Sequence, residues 1–235
     1  MVTILILSFL RGKGLIKCIE SLQANSIKPY RIIVLQQGDS GPIIPSGVEV
    51  IVSKENTGIC KGRNILAKET NTPYMLFLDD DCSVEAGWDI HLEEVLKEYR
   101  PDALTCKLIE TRKNKTIRER ELIRDFRLPL KNWNGFKYSV SADTEIECTY
   151  VKGVSFHSVD CFRELGGFDE EFFISNEDAD YSLRLQEQKK KVLYTPKITI
   201  IHEHEFGDLE YEKVRWNGEI KRKSFERFNE KWSKR

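Results

Sequence analysis

Tyr74-Met75-Leu76-Phe77-Leu78-Asp79-Asp80-Asp81 is an apolar run of strand length that stops abruptly in three aspartates. Continuous hydrophobicity without alternation predicts a strand buried on both faces, as in a parallel sheet covered by helices. Three adjacent carboxylates repel one another, so a fold that gathers them commonly neutralises them with a cation. At D-x-D spacing two of them suit Mg²⁺ or Mn²⁺, whose remaining ligands are substrate phosphate oxygens; a solvated acidic turn is the plainer alternative.

The same pattern extends upstream. Val2–Leu7, Arg31–Leu35 and Val48–Val52 read as three more buried strands. Between them Leu15, Ile16, Ile19 and Leu22 recur at helical spacing, and Ile59–Lys68 reads as a helix carrying Ile65 and Leu66 inward. Strands alternating with helices argue for parallel βαβ units with right-handed crossovers. Ligands of such sheets bind beyond the carboxyl ends of the strands, where Ser8–Arg11, Gln36–Ser40 and Asp79–Asp81 all fall. Downstream, Pro101–Glu147 is less regular, with a strand over Leu104–Ile109 and a charged stretch over Arg112–Arg127. A strand Thr149–His157 around Gly153, a short helix Val159–Leu165, a helix Glu177–Gln188, and strands Lys191–Tyr194 and Ile198–His202 follow. The fold class expected is α/β, a single domain built on a Rossmann-like, mostly parallel mixed sheet flanked by helices.

Composition narrows the function. Hydrophobic residues make up 40% of 235, enough for a real core, so disorder is not the default state. The 37 basic and 38 acidic residues leave a net charge of -1, which excludes a chain-wide grip on nucleic acid. Cys18, Cys60, Cys82, Cys106, Cys148 and Cys161 form no C-x-x-C pair and read as reduced core thiols of a cytosolic protein. Val2–Leu10 is too short to span a bilayer and has no leader-like flanks, so a soluble, cytoplasmic protein is expected.

Three further clusters carry chemistry. Asn56-Thr57-Gly58-Ile59-Cys60-Lys61-Gly62-Arg63-Asn64 runs from a loop into a helix start, where glycines permit close backbone approach and Arg63 offers a fixed cation to a phosphate or ribose. Asn176-Glu177-Asp178-Ala179-Asp180 opens a helix. Its carboxylates complement the helix dipole, or Asp178 faces the site as a general base. His202-Glu203-His204 ends the last strand; successive side chains alternate, so one histidine can point to the site as a metal ligand while the other faces away.

Read in order, these residues resemble glycosyltransferase family 2, inverting enzymes of GT-A fold that use nucleotide sugars. The resemblance covers Val2 to about His204. It rests on the first strand entering Ser8-Phe9-Leu10-Arg11, on Asn56-x-Gly58 with Arg63-Asn64, on Asp79-Asp80-Asp81, on Gly166-Gly167-Phe168-Asp169-Glu170, on Glu177-Asp178-x-Asp180-x-x-x-Arg184, and on Pro196 with His202. It implies that Phe9 stacks on the base with Ser8 and Arg11 beside it, that Arg63 helps hold the nucleotide, and that Asp79 or Asp80 reaches the ribose. Asp81, with Asp79, would bind a Mn²⁺ or Mg²⁺ bridging the diphosphate, and Asp178 would be the base of a single displacement. His202 would add a metal ligand or diphosphate contact, with His204 as second choice. Gly153, Glu177, Gly166 and Gly167 would shape the sugar and acceptor pocket. Gln36-Gln37 stands where the family usually has an acidic pair contacting the base; glutamine both donates and accepts, so the nucleotide stays open.

The resemblance further implies a domain over residues 1–209, with 1–100 as its nucleotide-binding half and 101–209 as its acceptor and catalytic half. It also implies a nucleoside-diphosphate sugar as donor, and a glycan or lipid-linked glycan as acceptor. The tail 210–235 carries nine basic and five acidic residues among Trp216, Ile220, Phe225, Phe228 and Trp232. Those apolar residues fall near helical spacing, so the tail is expected to be an amphipathic helix. It either packs on the domain or a second copy, or rests on the inner face of a membrane. Two rivals remain at this stage. One is a haloacid dehalogenase-like phosphatase, whose D-x-D also follows a strand; the other is a catalytically silent nucleotide-sugar or glycan-binding module.

Overall fold

The computed structural model describes residues 1–39, 41–112, 115–120, 122–123, 139–140, 142–203, 209–215 and 217–233. Ser40, His204, Trp216 and much of Arg112–Arg127 lie outside them. In chain order the elements are β1 (Val2–Phe9), α1 (Gly12–Asn25), β2 (Arg31–Gln37), β3 (Val48–Ser53), α2 (Gly58–Lys68), β4 (Tyr74–Asp79), β5 (Cys82–Val84) and α3 (Trp88–Tyr99). There follow β6 (Ala103–Arg112), β7 (Lys115–Arg120), β8 (Leu122–Ile123), β9 (Ser139–Val140), β10 (Ile146–Glu147), β11 (Ser155–Ser158), α4 (Val159–Glu164), α5 (Glu177–Glu187), β12 (Val192–Glu203), α6 (Leu209–Arg215) and α7 (Gly218–Trp232).

The central sheet runs β10-β12-β6-β11-β4-β1-β2-β3, with β5 added to β12 and β7 to β6. Strands β3, β2, β1 and β4 are mutually parallel, as are β6 and β12, while β11 lies antiparallel between β4 and β6. The unbroken apolar runs reflect two cores. In β1, Ile4 and Ile6 enter the core under α1 and α3, whereas Leu5 enters the core shared by α2, α4, α5 and α7. Met75 and Phe77 of β4 face the second core, and Leu76 and Leu78 the first. Each such side chain, fully buried, contributes about 1.5–3 kcal/mol, so neither face tolerates a polar alternation.

Three strand expectations are corrected. β3 is the sheet's outer edge, with Val50 41% and Val52 68% exposed, rather than a buried strand. Residues 149–154 leave the sheet, and only Ser155–Ser158 pair as β11. The two strands expected around Pro196 are one, β12, whose register with β6 shifts between Thr195 and Thr199. Proline has no N–H to give the ladder, so the break in pattern marks a bulge.

The tail is two helices rather than one. Asn217 caps α7, its side chain accepting from Glu219 N and Ile220 N at 3.0 and 3.1 Å. Phe228 and Trp232 are buried in the same core as α5, while Phe225 is exposed. Phe228 and Trp232 of the apolar stripe thus pack on the domain itself. Among the described residues, no helix is long and apolar enough to cross a membrane.

Gly58 starts α2 at φ +78, and a Cβ there would lie 2.7 Å from Phe173 O. Gly58→Ala is expected to cost about 2–3 kcal/mol, from left-handed strain plus a backbone clash. A urea-unfolding midpoint indistinguishable from the parent would contradict this.

Candidate active site

The carboxyl ends of β1, β4, β6 and β12 and the start of α5 surround a cavity of about 490 Å³. Asp79, Asp80 and Asp81 lie on its floor. β5 pairs antiparallel with β12 in a register that sets Cys82 opposite His202, and Glu203 N donates to Asp81 O at 2.9 Å. That lacing brings His202 Nε2 to 2.9 Å from Asp81 Oδ1. Potential ligand atoms of Asp79, Asp81, Cys82 and His202 all fall within 4.8 Å of one another. The carboxylate donors suit Mn²⁺ or Mg²⁺, with the His202 imidazole as a further, nitrogen donor.

The alternation of the acidic triplet divides its work. Asp80 is buried and accepts from Ser8 Oγ at 2.6 Å. Burial and the neighbouring Asp81 charge push its carboxyl up to about 8. Burial acts upward on Asp81 as well, but His202 and Arg11 outweigh it and hold that carboxyl well below the usual range. Arg11 Nη1 lies 2.6 Å from Asp81 Oδ2. Asp81 in turn raises His202 against the opposing effect of burial. Gly14 on α1 lets this helix approach: a Cβ there would sit 3.0 Å from Asp80 O.

The opposite wall is built from α2 and α5. Arg63 Nη2 donates to Asp79 Oδ1 at 2.8 Å, and its guanidinium lies over Phe77 and Phe168. Arg63 Nη1 and Glu177 Oε2 are buried side-chain atoms with no hydrogen-bond partner among the described residues, and both residues line the cavity. Buried polar atoms are seldom left so, and those lining a cavity fit a polar ligand. Ser175 and Asn176, at φ 73 and 70, turn the chain so that Glu177 and Asp178 enter the cavity wall. Non-glycine residues in this region cost energy and cluster at functional sites. Asp178 Oδ2 accepts from Tyr150 Oη, and its Oδ1 accepts from Ala179 N at 2.8 Å. Burial and Asp178 push Glu177 up to about 7.

Of the residues expected at the site, Phe9, Gln37, Arg63, Asp79, Asp80, Asp81, Gly153, Glu177, Asp178 and His202 line this one cavity. The others are placed differently. Ser8 and Arg11 stand behind the floor and hold Asp80 and Asp81. Gln36 and Gln37 point to opposite faces of β2. Gln36 donates to Pro42 O at 3.1 Å, away from the cavity, and Gln37 Oε1 is taken by Thr57 N and Thr57 Oγ1. Gly166 and Gly167 do not line the pocket. At φ 77 and 74 they form a turn locked to α2, where Asn64 Nδ2 donates to Phe168 O and Asn64 Oδ1 accepts from Phe168 N, both at 2.9 Å. His204 lies outside the described residues.

Sequence reasoning missed Tyr150, Glu110, Lys152 and Tyr211. Glu110 is a buried carboxylate at the carboxyl end of β6, in register with His202, and the strand-end rule that picked out Asp79–Asp81 would have found it. Tyr211 of α6 packs its ring 4.4 Å from the Arg11 guanidinium and closes the cavity beside the aspartates. No local pattern marks Tyr150 or Tyr211, because chain segments remote from the floor deliver them.

Known proteins share this fold. A GalNAc-T7 structure with UDP, GalNAc and Mn²⁺ superposes with a TM-score of 0.68 at 16% identity, covering 88% of this chain and 43% of that one. Staphylococcus aureus TarS (residues 1–349) with UDP superposes with a TM-score of 0.63 at 13% identity, covering 86% and 60%. The probable N-acetylgalactosaminyltransferase 6 of Caenorhabditis elegans is 30% identical over 93 residues, which are 39% of this chain and 14% of that protein. The chain thus spans less than two thirds of each. Their shared architecture is the GT-A fold, which sets aside the haloacid dehalogenase alternative. The family model for glycosyl transferase family 2 matches residues 3–150, a span that includes the floor aspartates and Arg63, and the chain belongs to that family.

Proposed function

We propose that this protein transfers a sugar from a nucleoside-diphosphate donor, of which a uridine diphosphate sugar is the first choice, to a hydroxyl acceptor on a glycan or lipid-linked glycan. The reading rests on one observation: Asp79, Asp81 and His202, whose donor atoms are close enough together to hold one cation, and a carboxylate pair, Glu177 and Asp178, line the same cavity. UDP in two structural relatives supports the nucleotide. A divalent metal, when bound there, offsets the charge growing on the departing diphosphate.

The chain's own residues supply the rest. Phe9 offers a face for the base, and the buried Arg63 Nη1 a donor for phosphate or ribose. Gln37 serves the Asn56-Thr57-Gly58 loop that shapes this end, rather than reading the base. Asp178 takes the acceptor's proton as the new bond forms on the face opposite the leaving group, so the anomeric configuration inverts. Tyr150 Oη and Ala179 N both donate to this carboxylate and hold it in the cavity wall.

Thermal unfolding with UDP, GDP, dTDP and CMP, each with and without Mn²⁺, tests the donor site. UDP at millimolar concentration is expected to raise Tm only when Mn²⁺ is present, since a ligand selective for the native state stabilises it by mass action. No shift with any nucleotide would refute the donor site, and a shift with GDP alone would replace uridine.

A further inference from the structure

One face of α7 reaches three separate segments that frame the site. Ser224 Oγ donates to Ile174 O at 2.7 Å, within the 173–175 loop that lines the cavity. Arg227 and Lys231 pair with Asp169 of the turn after Gly167, at 2.9 and 2.8 Å. Lys231 Nζ also lies 2.8 Å from Asp180 Oδ1, to which Trp232 Nε1 donates at 2.9 Å. Asp180 is fully buried, two residues beyond Asp178 on α5, with Oδ2 held by Arg184 at 2.9 Å.

We propose that α7 positions the proton-accepting carboxylate of Asp178, with Trp232 and Lys231 as its positioning residues. The inference rests on Asp178 being the base. The entry to α5 is strained: it follows two left-handed residues, and its N-cap Asn176 makes no side-chain capping bond, while within the helix Ala179 N, Ser182 and Arg184 tie down its first turn. Such an entry persists only when the surroundings over-determine it. α7 brackets it, gripping Ile174 before the turn and Asp180 within it. The choice of tryptophan fits this role: its ring fills the core while its N–H, a donor only, joins Lys231 on a buried carboxylate oxygen. A carboxylate that must meet an acceptor hydroxyl within hydrogen-bond reach is sensitive to small displacements.

Trp232→Phe keeps the aromatic packing and deletes the donor; Lys231→Met deletes the ion pairs, and Lys231→Arg restores a cation. Amide hydrogen exchange over Glu177–Asp180 is expected to quicken about 10-fold in Trp232→Phe and Lys231→Met but not in Lys231→Arg, with α1 unchanged. This readout needs no donor. UDP release from UDP-N-acetylgalactosamine or UDP-N-acetylglucosamine with Mn²⁺ is expected to lose about 10-fold in kcat in the first two variants, at unchanged donor KM. Unchanged exchange at α5 overturns the proposal, as does faster exchange with parental kcat. A parallel loss in kcat, KM and α1 protection shows a merely structural role and also overturns it. Asp178→Asn runs beside them: turnover surviving there refutes the base itself, whereas its loss with parental kcat in Trp232→Phe refutes only the positioning.

Discussion

Asp178→Asn is expected to lower sugar transfer by about 10²–10⁴-fold, the usual contribution of a positioned base, while donor affinity stays within about twofold. Asparagine matches aspartate in shape, and its carbonyl oxygen can still accept from Tyr150 Oη or Ala179 N. What it loses is the capacity to take a proton. The floor aspartates, His202 and Arg63 belong to other elements, so binding of UDP with Mn²⁺ should survive. Single-turnover transfer and a UDP titration separate the two effects. If transfer persists near the parental rate, Asp178 is not the base, and Glu177, pushed up to about 7 on the same wall, becomes the carboxylate to examine.

Asp81→Asn is expected to remove metal-dependent UDP binding, by at least about 100-fold, because losing a direct ligand should exceed the 10–100-fold typical of an outer partner. It should also destabilise the fold. Asp81 is buried between Arg11 and His202, at 2.6 and 2.9 Å, and its loss takes a carboxylate from both. Breaking such a buried pair costs about 3–5 kcal/mol. Asp80 limits the damage: its Oδ1 lies 3.6 Å from Arg11 Nη1, and without its charged neighbour it ionises more readily. The expected loss is therefore near the lower bound. Urea unfolding measures the stability and a UDP titration with Mn²⁺ the affinity; intact Mn²⁺-dependent binding in this variant would remove Asp81 from the metal site.

Local pattern was a good guide wherever both faces of a strand are buried. β1, β2 and β4 feed alternate residues into two cores, so their sequences leave little room for another reading. β3 carries a similar run but has a partner on one side only, and a strand's own residues do not say whether a second neighbour will arrive. Pro196 marked a real event in β12, although that event is a bulge rather than an end. Gly166-Gly167 was legible as a turn, and its backbone does require glycine. Its partner, Asn64, lies about a hundred positions earlier, and that contact makes the turn part of the scaffold rather than a pocket wall.

The order of motifs alone determined the family, the functional edge of the sheet, and the aspartates, arginine, acidic pair and histidine that meet there. The family rests on the resemblance of the ordered motifs, the sheet edge on strand periodicity, and the site residues on residue chemistry at strand ends and helix starts, all of which are local. Only the tertiary structure decided which member of each cluster faces the cavity. Ser8 and Arg11 turned out to support the floor, Gln36 faces away, and Tyr150, Glu110, Lys152 and Tyr211 joined the wall. The physical reason is that a side chain's face is set by register and by the long-range partner that satisfies its charge. Asp81 meets Arg11 and His202 only because α1, β5 and β12 converge, and Asp180 meets Trp232 only because α7 returns to the core.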